Sequence, residues 1–149
     1  MSDCRVCESI WSASAPGGCI HSTDAWFVDH CIGPLGVGTL IVKPRRHVVH
    51  VADLLPGETR ELGAVLQQAA AVVTELERPE QVYVTLWSHA DRIPQHLHWV
   101  VQPITTERIA EHGGAYGPGP QLQMFRAQED PEAVAAAAFA ERARDLWPS

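Results

Sequence analysis

The stretch that most limits the possible folds is LLPGETRELGAVLQQAAAVVTELE, residues 54–77. Leu62, Val65, Leu66, Ala69, Val72, Val73 and Leu76 recur at steps of three and four, which lines them along one face of a helix. Asp53 reads as the cap of that helix and Pro79 as its stop. Its apolar stripe needs a surface to bury against, and short strand-like runs on both sides offer one. GCIHSTDAWFVDHCIGP (18–34) holds two such pieces, broken near Thr23 and Asp24. GTLIVKP (38–44) is an apolar run bounded by Gly and Pro, and QVYVTLW (81–87) and QHLHWVVQ (95–102) alternate. Residues 103–120 read as loop around GGAYGPGP, and QLQMF (121–125) as a short strand. Asp130, Pro131 and Glu132 supply a cap, a first-turn proline and an acidic start for a second helix running to about Leu146. The expected class is α+β: a mainly antiparallel sheet of about five strands with two main helices. No internal repeat or long linker divides the chain, so 1–149 reads as one domain.

Composition narrows the function. A hydrophobic fraction of 46% over 149 residues suits an ordinary globular core. No apolar run approaches the roughly 20 residues of a membrane span. The opening MSDCRVCES lacks the basic and apolar regions of a signal peptide, so a cytoplasmic, non-membrane protein is expected. A net charge of −7 argues against wrapping a nucleic-acid duplex, but leaves room for a small phosphorylated ligand. Lys43 is the only lysine, which reads as genome composition. In a reducing compartment the four cysteines are not a disulfide frame. Cys19 and Cys31 read as small buried hydrophobes. Cys4 and Cys7 form a C-x-x-C that can clip a metal, act as a redox pair, or be incidental.

The chemistry concentrates in RIPQHLHWVVQP, residues 92–103. On a strand, His96, His98, Val100 and Gln102 project one way, and Leu97, Trp99 and Val101 the other. A half-exposed strand can carry such a pair without purpose. Neutral imidazole is also a common metal ligand and a competent nucleophile near pH 7.

Taken in order, these pieces resemble the histidine-triad superfamily of nucleotide-binding hydrolases and transferases. HLHWVVQP matches the first two histidines, the apolar alternation and the closing proline of its His-apolar-His-apolar-His strand. LIVKPRRHV is similar to its LVIPKxH strand end, and FVDHCIGP to the segment bearing its ribose-binding acid. The C-x-x-C resembles the zinc knuckle (1–10 here) of some branches. The resemblance spans roughly residues 4–103 and leaves 103–149 as a C-terminal extension.

The resemblance implies an HIT-like fold and a division of labour. His98 would be the nucleophile, forming a nucleotidyl-histidine intermediate at an α-phosphate. Asp29 would hold the ribose hydroxyls, Phe27 and Ile32 would wall the base pocket, and Ser88 and Arg92 would meet phosphate. Cys4, Cys7, His47 and His96 would hold a structural zinc, with His50 competing for the place of His47. The expected activity is nucleotide hydrolysis or nucleotidyl transfer. The alternative is a catalytically weak or inactive nucleotide- or metabolite-binding protein stabilised by structural zinc. Homodimerisation is a further expectation. Three departures stand out: Val100 replaces the third histidine, TLWSHADRIP keeps none of the glycines of the family's NxGxxxGQSV segment, and GTL stands where a histidine often precedes the strand. His89 and a back-reaching Gln102 are the donors available to compensate.

Overall fold

In a computed structural model of the chain, residues 4–90, 93–114 and 116–149 are described. Among them the order is α1 (Arg5–Ser12), β1 (His21–Ser22), β2 (Trp26–His30), β3 (Leu40–Pro44), α2 (Pro56–Glu77), β4 (Gln81–Leu86), β5 (His89–Ala90), β6 (Ile93–Pro94), β7 (Trp99–Ile104), α3 (Thr106–Glu111), α4 (Gly119–Ala127) and α5 (Ala133–Leu146). Five strands form an antiparallel sheet in the order β1-β2-β3-β7-β4, and β5 with β6 makes a separate hairpin. The α+β expectation is met, with α2 and α5 as the two longest helices.

Strand parity divides the sheet into two faces. Trp26, Val28, Leu40, Val42 and Val101 form one core with Val65, Ala69, Val72 and Val73 of α2 and Phe139, Ala140 and Ala143 of α5. Docking of α5 depends on Gly17, whose φ is +79° and where a Cβ would meet that of Ala140 at 2.5 Å. Arg144 Nε donates to the Cys19 carbonyl at 3.0 Å beside it. The opposite face carries Asp29, Cys31, Ile41, Lys43, Val100 and Gln102. Its far end is closed by α4: Met124 packs with Cys31, Leu35 and Val100, while Gln121 Nε2 donates to Gln102 Oε1 at 2.8 Å.

Local readings of the chain differ from the structure where tertiary contacts overrule pattern. Asp53 lies in a 3-10 turn, Val51–Asp53, rather than capping α2. That helix opens on Pro56, and Glu58 reaches back to the Leu55 N–H at 2.7 Å. α5 begins two residues later than Asp130 suggests, because the Glu132 carboxylate accepts from Val134 N and Ala135 N. QLQMF is helical in α4, and α3 occupies part of the expected loop, capped by Thr105. The ladder of β7 starts at Trp99, so His96 and His98 sit in the approach to the strand, where Leu97 N donates to the Val48 carbonyl at 2.7 Å. The C-x-x-C opens a helix, with the Cys4 sulfur accepting from Cys7 N at 3.5 Å as an N-cap.

Candidate metal centre and adjoining cavity

Cys4, Cys7, His47 and His96 come together from three parts of the chain. The first two belong to the start of α1, His47 follows β3, and His96 precedes β7. Their ligand atoms all lie within 4.8 Å of one another. Cys7 Sγ stands 3.4 Å from His47 Nδ1 and 3.3 Å from His96 Nδ1, and Cys4 Sγ stands 3.6 Å from His96 Nδ1. Zinc bonds of about 2.3 Å to sulfur and about 2.1 Å to nitrogen, at a tetrahedral angle, put the two ligand atoms about 3.5 Å apart. The set therefore fits a tetrahedral cation. His50 is outside it.

The imidazole of His96 is prepared for such a role. Its Nε2 lies 2.9 Å from the Pro44 carbonyl, which can only accept, so Nε2 carries the proton and Nδ1 presents its lone pair to the thiols. Burial, first among several causes, lowers its pKa to about 4 and keeps the ring neutral. Burial, reinforced by the Cys4 side chain, raises the Cys7 thiol to about 11. Cation binding would then have to release a proton from this sulfur.

His98 has the opposite tautomer. Its Nδ1 donates to the His96 carbonyl at 3.0 Å, and among the described residues no partner engages Nε2. Burial lowers its pKa, again favouring neutral imidazole. The ring lines a cavity of about 290 Å³ between α1 and the 31–35 loop, together with Trp87, His89, Val100 and Phe125. Trp87 and Phe125 meet edge to face at 6.0 Å on its rim. The wall is mostly apolar; its polar corner is Asp29, Lys43 and Ser9. Lys43 Nζ donates to Asp29 Oδ2 at 2.6 Å and to Ser9 Oγ at 2.8 Å. Burial pushes the Asp29 carboxyl up, with the Lys43 ammonium working against it.

The residues expected to meet a nucleotide fall differently. Asp29 and Ile32 line the cavity. Phe27 does not: it shares the strand face of Asp29, but the Lys43 ammonium lies 5.4 Å above its ring and covers it. Ser88 also lies off the lining, because its neighbours Trp87 and His89 take the inward positions. Arg92 lies outside the described residues. Gln102 is fully buried and spends its amide on the Leu35 carbonyl and Gln121, so it does not reach back past Val100. Lys43, Ser9 and the α1 wall were not anticipated. The available signal was a lone lysine at an inward position of an apolar strand.

No protein-family model and no curated protein matches the sequence. Solved structures do match. A zinc-bound histidine triad family protein from Mycobacterium smegmatis superposes with a TM-score of 0.67 at 19% identity, over 96% of this chain and 94% of the other. A Hit-like protein involved in cell-cycle regulation from Bartonella henselae gives 0.71 at 14% identity, over 98% of both chains. A hypothetical histidine triad nucleotide-binding protein from Sulfolobus tokodaii gives 0.69 at 14% identity, over 96% and 91%. Fold and site define an α+β protein with a Cys/His cluster beside a cavity. Its fold is that of the histidine-triad proteins, and the likeness extends over the C-terminal segment that the sequence motifs leave out. Among the described residues no helix is long and apolar enough to cross a membrane.

Proposed function

We propose that the chain is a zinc-stabilised nucleotide hydrolase or nucleotidyl transferase acting at an α-phosphate, with residues 1–149 working as one unit. The observation that carries this reading is the neutral His98 ring, whose Nε2 no described residue engages and which lines a cavity large enough for a small ligand. Nε2 would attack phosphorus and form an N–P bond, while the bond to the leaving group breaks and its electron pair departs with that group. The Nδ1 proton would stay on the ring, hydrogen-bonded to the His96 carbonyl, which stabilises the imidazolium side of the adduct. Water or another acceptor would then attack phosphorus, releasing the nucleotide and returning His98 to its neutral form. Asp29 and Ile32 would contact the nucleoside from the cavity wall, and the apolar rim of Trp87 and Phe125 suits a base.

Cys4, Cys7, His47 and His96 would hold the zinc, which closes a four-ligand shell and acts structurally. It would tie the start of α1 to the segment carrying His98. Incubation with a radiolabelled adenosine phosphoramidate followed by denaturation should leave label on wild type and none on His98→Ala. Absence of both label and turnover in wild type would remove the enzyme reading. Val100 favours the second reading, a binding protein of weak or no turnover, since an apolar side chain supplies no donor where transition-state charge develops. Tight nucleotide binding without label selects that one.

A further inference from the structure

Lys43 occupies a place that a purely structural lysine does not need. Val42 pairs with Trp99 across β3 and β7 and both face the core. One step on, Lys43 and His98 come level on the opposite face, and both line the cavity. Lys43 is only 4% exposed, whereas Arg5, the other cationic side chain on the lining, is exposed. Two of its three ammonium N–H groups are committed, to Asp29 at 2.6 Å and Ser9 at 2.8 Å. Among the described residues no oxygen, nitrogen or sulfur accepts from the third, and the Phe27 ring beside it, with its centroid 5.4 Å from Nζ, offers only a π face. Val100, two residues past His98 on the same face, contributes only apolar surface.

We infer that Lys43 is the anion-binding group of this cavity: Asp29 and Ser9 aim its ammonium, and its remaining N–H takes a phosphate oxygen of the ligand beside His98. This deepens the proposed function and rests on it for the identity of the ligand. The ligand class is a phosphoryl compound with an apolar or aromatic body, its anion at the Lys43 corner and its body toward Trp87 and Ile32. The charge sits on the strand neighbouring His98, where it replaces a donor that Val100 cannot supply. A buried ammonium interacts with an anion more strongly than an exposed one, because less water screens it. The carboxylate partner holds the ammonium at a fixed place, so little rotamer freedom is lost when the ligand arrives.

The test titrates inorganic phosphate into the full-length, zinc-loaded protein and follows the ring resonances of His98. Wild type should show a saturable shift. Lys43→Met should weaken phosphate by about tenfold or more, the scale of one charge-assisted hydrogen bond. Because that change leaves Asp29 buried without its partner, the double variant Lys43→Met/Asp29→Asn is measured alongside; it removes both charges and should lose phosphate to the same extent. Lys43→Arg should recover much of the binding. Unchanged phosphate affinity in the double variant would mean that Lys43 only straps α1 to the sheet, and would overturn the inference, as would a wild type with no saturable shift. Phosphate binding through Lys43 without a covalent nucleotide adduct keeps the inference and removes the enzyme reading. An adduct that forms with phosphate affinity unaltered by the variants does the reverse.

Discussion

His96 and His98 stand two residues apart on one extended segment, yet the structure gives them opposite chemistry. His96 donates from Nε2 to the Pro44 carbonyl and frees Nδ1 for two thiols. His98 donates from Nδ1 to the His96 carbonyl and leaves Nε2 to the cavity. A backbone carbonyl selects the tautomer in each case, and the tautomer decides which nitrogen can act. The surroundings differ as well. Around His96, ligand atoms converge from α1, the segment after β3 and the strand approach; around His98 the wall is mostly apolar, and the one buried lysine or arginine among its described residues comes from the next strand. Identical side chains on neighbouring positions therefore acquire different roles from the groups that reach them.

The largest expected effect separates the two rings. His98→Ala should lower turnover by about a thousandfold or more while leaving zinc content and melting temperature near wild type. His96→Ala should do the converse first: zinc falls well below one per chain, and the melting temperature drops by about 10 °C or more. Chelation of wild type should reproduce that drop, since a cation held at a thousandfold above its Kd contributes about 4 kcal/mol. Metal analysis and calorimetry on both variants check this. Equal loss of zinc from the two variants would erase the contrast.

A middle-sized effect sharpens the boundary of the cavity. Gln121 fills the space beyond Val100, joining Gln102 at 2.8 Å and Thr85 Oγ1 at 3.2 Å. Gln121→Ala should cost about 1–3 kcal/mol by chemical denaturation, because Gln102 Oε1 is left buried without its donor. His98 chemistry should change little, as this network lies one same-face step beyond Val100.

The smallest effect concerns the exposed ligand. The segment leading to His47 is pinned by Arg46, whose Nε and Nη2 reach the Glu58 carboxylate at 3.0 and 2.9 Å. Arg46 thereby holds the Glu58 carboxyl below its ordinary 4.5. The folded value is the lower one, so this contribution is complete above pH 4.5 and is lost as pH falls through the folded value. Thermal melts between pH 6 and 3 should show a shallower acid limb for Glu58→Gln than for wild type, with a slight weakening of zinc retention.

The two regions were unequally legible in the sequence. The four-residue cluster could be proposed from motif resemblance because each ligand is a chemically distinctive side chain at a marked position: Cys4, Cys7, His47 and His96. The cavity was legible only in part: His98, Asp29 and Ile32 could be proposed from the same resemblance, but the rest of its walls are ordinary residues brought together from distant segments. Lys43 shows this best: in the chain it is one lysine before a proline, and only the β3–β7 register sets it beside His98. Helix α4 was missed for a related reason. Its buried positions include Gln121, which is satisfied by hydrogen bonds rather than by apolar contact, so no hydrophobic period announces it. α1 escaped because its N-cap is a cysteine, whose sulfur does the work usually expected of Ser, Thr, Asp or Asn.

Period and residue type by themselves determined that this chain would bury a long amphipathic helix against short antiparallel strands, since those patterns are local and repeat within a few residues. Tertiary contact decided the rest: which nitrogen of His96 is free, which strand supplies the cation, and which helix closes the cavity. Those outcomes depend on atoms dozens of residues apart meeting within about 3 Å, a distance that hydrogen bonds require and that no local pattern encodes.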